Sequence, residues 1–150
     1  MRKPIRDTTR TGFISSERGA GVDFSPDENQ RAVAELAREV LRREMPDAVS
    51  DLDPALGYDP AVWAALAKAG LTALAVPAEL GGDGLGIDAV AVVLTEVGAR
   101  GARVPALATL ALGVLPLAVH GTAEQQSELL PAVAAGTALL TAAVSEPGRP

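Results

Sequence analysis

Cysteine is absent from this 150-residue chain, and histidine occurs once. A disulfide framework, thiolate metal sites and cysteine nucleophiles are excluded, as are a histidine metal cluster and a catalytic histidine pair. Aromatic residues make up 3%, too few for a base-stacking platform. Basic charge is in the minority: 13 Lys and Arg stand against 19 Asp and Glu, a net charge of -6. That balance disfavours contact with phosphate backbones, so no nucleic acid is expected as a partner. Long apolar runs are missing too. The stretch from Val104 to Val119 is shorter than the roughly 18–20 apolar residues that span a bilayer. It is also interrupted by Pro105, Gly113 and Pro116, so no membrane span is expected. No apolar run follows the basic residues near Met1, which leaves a secretory leader unsupported and a cytoplasmic protein as the expectation.

What is present is a globular balance, 48% hydrophobic against 21% charged. Residues 1–21 read as a flexible arm without apolar period. The first helix opens on Ser25-Pro26-Asp27-Glu28, with Ser25 as N-cap, Pro26 at N1 and Glu28 at N3. Val33, Leu36, Ala37, Val40 and Leu41 form its buried stripe, and Pro46 ends it. Asp59-Pro60 starts a second helix with Val62, Trp63, Leu66 and Ala67 inward. Gly70 fits a left-handed residue after it, and Leu71 the hydrophobic contact beyond. Leu74-Ala75-Val76 before Pro77 reads as extended, and a glycine-dense loop follows from Glu79 to Gly86.

A third helix is expected from about Asp88, with Val90, Val93, Leu94 and Val97 inside. Pro105 opens a fourth, almost wholly apolar helix through Leu107, Leu110, Val114 and Leu117. A helix apolar all round belongs in the centre of its bundle. Thr122-x-x-Gln125 is a capping box for a short fifth helix anchored by Leu129 and Leu130. Ala138 to Val144 reads as a strand, then Ser145 to Gly148 as a turn. A lone strand leaves its backbone groups unsatisfied, so the expected partner lies in a larger fold or another chain.

The residues alone point to no catalytic group and no metal site. Gly82-x-Gly84-x-Gly86 is not the dinucleotide-binding fingerprint, and no Gly-Lys-Ser/Thr follows it, so the loop reads as a connection. His120, without Ser or Asp partners in any recognisable motif, reads as a polar helix end. Glu146 either caps a turn or contacts a ligand; spacing leaves both open.

The order of these signals resembles the N-terminal helical domain of the flavin-dependent acyl-CoA dehydrogenases. Four segments carry the resemblance. Asp23-Phe24-Ser25-Pro26-Asp27-Glu28-Asn29-Gln30 is similar to the family's opening helix. Trp63-Ala64-Ala65-Leu66, Gly70-Leu71 and Pro77-Ala78-Glu79-Leu80-Gly81-Gly82-Asp83-Gly84 resemble its Trp-x-x-Leu, Gly-Leu and Pro-Glu-x-Gly-Gly-x-Gly signature. Gly121-Thr122-Ala123-Glu124-Gln125, with Leu130-Pro131 and Gly136, is similar to its Gly-Thr-x-Glu-Gln run. Val144-Ser145-Glu146-Pro147-Gly148 resembles its strand-end Ser/Thr-Glu-Pro-Gly.

The resemblance implies a mainly α fold: about five helices over residues 22–136, then one β-strand opening an incomplete middle β-domain in residues 137–150. It implies an oxidoreductase that binds FAD and desaturates an acyl-CoA substrate at its α,β carbons. Electrons would pass to an electron-transfer flavoprotein, and the protein would be a homo- or hetero-oligomer. By resemblance, Val144 and Ser145 face the flavin ring. Donors at its pyrimidine side favour reduction because the reduced ring carries negative charge there. Leu107, Leu110 and Ala111 are the implied wall of the acyl tunnel, with core packing an equal reading for each. The family's catalytic base is a carboxylate in its C-terminal bundle, to which no residue here corresponds.

Two departures stand out: Arg149-Pro150 after Gly148, where the family has Ala-Gly-Ser-Asp, and Ala142 at a position often aromatic. Pro150 has no N–H to donate. They keep open a non-catalytic, flavin-poor subunit of a heteromer. A free-standing helical interaction module is the third reading.

Overall fold

The computed structural model describes residues 25–45, 57–143 and 148. The arm, Pro46, Val144, Ser145, Glu146, Arg149 and Pro150 lie outside the described residues.

Helix α1 spans Glu28–Glu44. It starts two residues later than the Ser25 reading, because Asp27 takes the N-cap. The Asp27 carboxylate accepts from the Gln30 N–H at 2.7 Å, and Gln30 Oε1 accepts from the Asp27 N–H at 3.0 Å. Two orphan donors are thereby satisfied reciprocally, by a box of the same logic in a shifted register. Asp27→Ala is expected to cost about 1 kcal/mol, seen in thermal melts as a midpoint lower by about 2–4 °C. Val33, Ala37, Val40 and Leu41 are buried, whereas Leu36, expected in the stripe, is 43% exposed.

Helix α2 spans Pro60–Lys68. The Asp59 carboxylate accepts from the N–H groups of Ala61 and Val62 at 3.0 and 3.1 Å. At the far end Leu71 N–H reaches the Leu66 carbonyl and Gly70 N–H the Ala67 carbonyl, at 3.0 and 2.9 Å. This Schellman pair needs a left-handed residue, and Gly70 supplies it at φ +80°. Residues 71–76 coil rather than extend, with Val76 N–H donating to Ala73. A strand would alternate its side chains between two faces. The coil sends Leu71, Leu74 and Val76 all into the core.

A 3₁₀ turn over Ala78–Leu80 leads into the glycine loop. The loop folds back on the coil before it. Asp83, Gly84 and Leu85 donate their N–H groups to the carbonyls of Ala73, Val76 and Leu74, at 3.3, 2.9 and 2.7 Å. Gly82 sits at the closest approach, where any Cβ would collide with the Val76 and Ala73 carbonyl oxygens.

Helix α3 covers Gly86–Arg100, two residues earlier than Asp88, and packs on α1. Arg38 makes a two-point contact across the pair, with Nε and Nη2 donating to Glu96 at 3.1 and 2.6 Å. On α1 itself, Arg42 donates to Glu39, whose carboxyl it holds below the usual range. That contribution is present above the ordinary carboxylate pKa and is lost as pH falls through the lowered one. Both arginines are solvent-facing, and the pairs set register more than stability. Arg100, in the last turn of α3, donates to the Met45 carbonyl at 2.7 Å and so ties off the end of α1.

The apolar stretch after Pro105 does not form an ordinary helix. Leu107–Val114 winds as a π-helix and continues as α4, Leu115–His120. At the junction the Leu115 N–H reaches back five residues to the Leu110 carbonyl. Pro116 gives a physical reason: it has no N–H for the Leu112 carbonyl, and its ring would press on that carbonyl in an α-register. The expected central burial also fails. Ala106, Leu110 and Val114 are buried, but Leu107 is 60% and Val119 71% exposed.

Helix α5, Ala123–Ala134, starts on the expected box, with Thr122 and Gln125 bonded at 3.2 and 2.9 Å. The Gln126 side-chain nitrogen lies 3.1 Å from the carbonyls of Leu117, Ala118 and Gly121, which fixes the end of α4 to α5. Leu130 is buried, whereas Leu129, its expected fellow anchor, points out. Beyond α5, residues 138–143 are neither helical nor paired in a ladder. They nevertheless alternate half-buried and exposed positions, the period of a strand.

Candidate functional site

The π-helix, α4, α5 and the 138–143 segment enclose an open groove. It is a cavity of about 370 Å³, walled by Leu112, Gly113, Pro116 and Leu117 on one side and by Leu129 and Leu140 on the other. The walls are apolar, with His120 and Thr141 as polar edges. A concave, mostly apolar site with few polar groups is the ordinary form of a small-molecule pocket. π-Helical turns concentrate at functional sites, which adds an independent reason to place the site here.

The three residues expected to line an acyl tunnel are spread over the wall helix rather than gathered in this groove. Leu107 faces solvent, Leu110 is 3% exposed in the core, and Ala111 is half-buried against the core. The groove residues are instead Leu112, Gly113, Pro116 and Leu117. Leu112 and Pro116, like Gly113 and Leu117, stand four residues apart and share one face; apolarity on every side of the run singled out neither that face nor the break in the α-helix before Pro116. The pattern Gly113-x-x-Pro116 inside an apolar run was the one signal of that break. His120 does end a helix, as its sequence position implied.

Thr109 carries the one hydroxyl of Leu107–Val114. It is fully buried, and its Oγ1 has no hydrogen-bond partner. Such a group costs about 1–3 kcal/mol when left unpaired. The glycine loop carries no anion site: the three N–H groups a phosphate would use are donated to residues 73–76. Among the described residues no cluster of three or more metal-binding side chains occurs. No described helix is long and apolar enough to cross a membrane.

Residues 139–143 are extended beside the groove, and their backbone N–H groups are not taken by any partner among the described residues.

Fold and groove together define a class: a helical domain with an apolar groove on one face. Residues 27–137 match the family described as acyl-CoA dehydrogenase, N-terminal domain. The chain belongs to the acyl-CoA dehydrogenase family. It is 46% identical over 127 residues to acyl-CoA dehydrogenase FadE28 of Mycobacterium tuberculosis, covering 85% of this chain and 32% of that protein. Its fold is similar to the Tcur3481-Tcur3483 steroid ACAD, in a variant form, with TM-score 0.70 and 38% identity over 81% of this chain and 34% of that one. It is also similar to the ChsE4-ChsE5 complex from Mycobacterium tuberculosis, with TM-score 0.66 and 28% identity over 79% and 33% of the two chains. The chain therefore spans roughly a third of the length of the relatives it matches.

Proposed function

We propose that this chain is the N-terminal portion of an FAD-dependent acyl-CoA dehydrogenase that places an α,β double bond in an acyl-CoA thioester. One observation carries the reading: an apolar groove of acyl-chain character adjoins an unpaired extended segment that leads to Val144-Ser145-Glu146-Pro147-Gly148. In this reading the groove walls bind the acyl group and exclude water from it, while Leu107, Leu110 and Ala111 shape the helix that forms the wall. The Val144 N–H and Ser145 hydroxyl donate to the pyrimidine side of FAD. FAD, when bound, supplies the acceptor for two electrons. The catalytic carboxylate comes from polypeptide outside these 150 residues. Residues 22–136 form the helical domain and 137–150 open the β-domain.

The groove is open along its length, and likeness to a steroid ACAD supports a broad acyl group over a thin one. Electrons leave to an electron-transfer flavoprotein, and the protein works as a homo- or hetero-oligomer.

A second reading rests on Arg149-Pro150 and on the two-component names of both structural relatives. In it the chain belongs to a flavin-poor subunit that supports an active partner.

The test is to purify the full-length protein alone and with its partner chain, then count FAD per chain. The first reading expects a yellow protein, bleached by acyl-CoA in the absence of oxygen. A protein colourless alone and yellow only in complex selects the second. One that stays colourless throughout and takes no acyl-CoA sinks both and leaves a helical interaction module.

A further inference from the structure

Gly113 lies inside the π-helix, and its backbone dihedrals do not call for glycine. Inside a helix glycine costs about 1 kcal/mol against alanine. Something else must favour it. A Cβ at this position would stand 2.5 Å from Leu140 Cβ and 3.2 Å from the Leu140 carbonyl carbon. The contact is therefore backbone against segment, with no side chain between them. Leu140 is one of the half-buried residues of the alternating run 138–143, with Ala138 and Ala142. Four residues beyond Leu140 the chain reaches Val144.

We infer that Gly113 is a positioning residue: it is the seat on which the wall helix holds residues 138–143, and thereby sets where the residues proposed to face FAD stand relative to the acyl groove. This rests on the flavoprotein reading. A methyl group at 113 must lift the segment by the overlap it creates, because Leu140 Cβ and its backbone cannot rotate away. The groove gains nothing, since both partners of the contact already border it.

The experiment uses the full-length protein stripped of FAD and then titrated with it, alongside amide hydrogen exchange over residues 138–145. Gly113→Ala is expected to weaken FAD binding about tenfold and to speed exchange in that segment. Leu140→Gly, which removes the contact from the other side without adding atoms, is expected to weaken FAD binding in the same direction. The double variant moves the single Cβ across the contact and is expected to bind FAD better than either single variant, a coupling that independent sites do not show. If Gly113 acts only through helix propensity, Gly113→Ala instead melts higher and binds FAD as the wild type does, which overturns the inference. Additive losses in the double variant overturn it too. Should Gly113→Ala fail to fold, wild-type FAD affinity in Leu140→Gly is the overturning result. A wild-type protein that takes no FAD, alone or in complex, fails at the parent reading instead.

Discussion

Gly82→Ala is expected to be the most damaging single methyl group in the chain, lowering stability by about 3 kcal/mol. The melting midpoint of a chain this size should fall by about 6–12 °C. The cause is neither helix propensity nor a left-handed dihedral. The added Cβ meets the Val76 and Ala73 carbonyl oxygens and Val76 Cβ, none of which is the free end of a flexible side chain. To make room the loop must leave the coil, and the hydrogen bonds of Asp83, Gly84 and Leu85 go with it. Gly84→Ala is the internal comparison. It has open space around its Cβ but φ +64°, so its loss is conformational and stays near about 1–2 kcal/mol. Equal melting of the two variants would show that the clasp does not hold the loop.

Leu130→Ala should cost about 3 kcal/mol, whereas Leu129→Ala, one residue earlier on the same helix, should cost under about 0.5 kcal/mol. Leu130 is fully enclosed between α5 and the core, so truncation leaves a cavity. Leu129 is 37% exposed on the groove side. The ranking should reverse for ligand. On the proposed function, Leu129→Ala in the full-length protein should raise KM for acyl-CoA severalfold, while Leu130→Ala should act on the melting midpoint first. Denaturant titrations of both variants, set beside their KM values, decide it. If both residues move stability alike, the groove face is core rather than wall.

The parts of the fold that were legible in the sequence are those governed by nearby residues. Thr122 with Gln125, Asp59 before Pro60, and Gly70 before Leu71 each solve a local problem of unpaired backbone groups, and each appears where its residues stand. The start of α1 lies two residues beyond the Ser25 reading because Ser25 and Asp27 both offer a cap, and Asp27 has Gln30 to close the box. Residues 74–76 coil although a short apolar run before proline reads as extended, because the preceding Schellman turn feeds a coil. The apolar fourth helix departs from its expectation for a deeper reason. Hydrophobicity on all sides reports that every face avoids water, and it does not report which face is left for a ligand. The groove face is closed by Leu140 lying against Gly113, a contact between residues 27 positions apart. The groove itself was legible only as a helix, not as the residues that line it.

Trp63 is the chain's single tryptophan, 3% exposed on α2 among the core leucines and valines. Its indole N–H has no partner. Such a fluorophore emits toward the blue while the helical domain holds together and shifts red once water reaches it. The protein thus carries its own optical gauge of the core, insensitive to events at the chain ends and usable without any label.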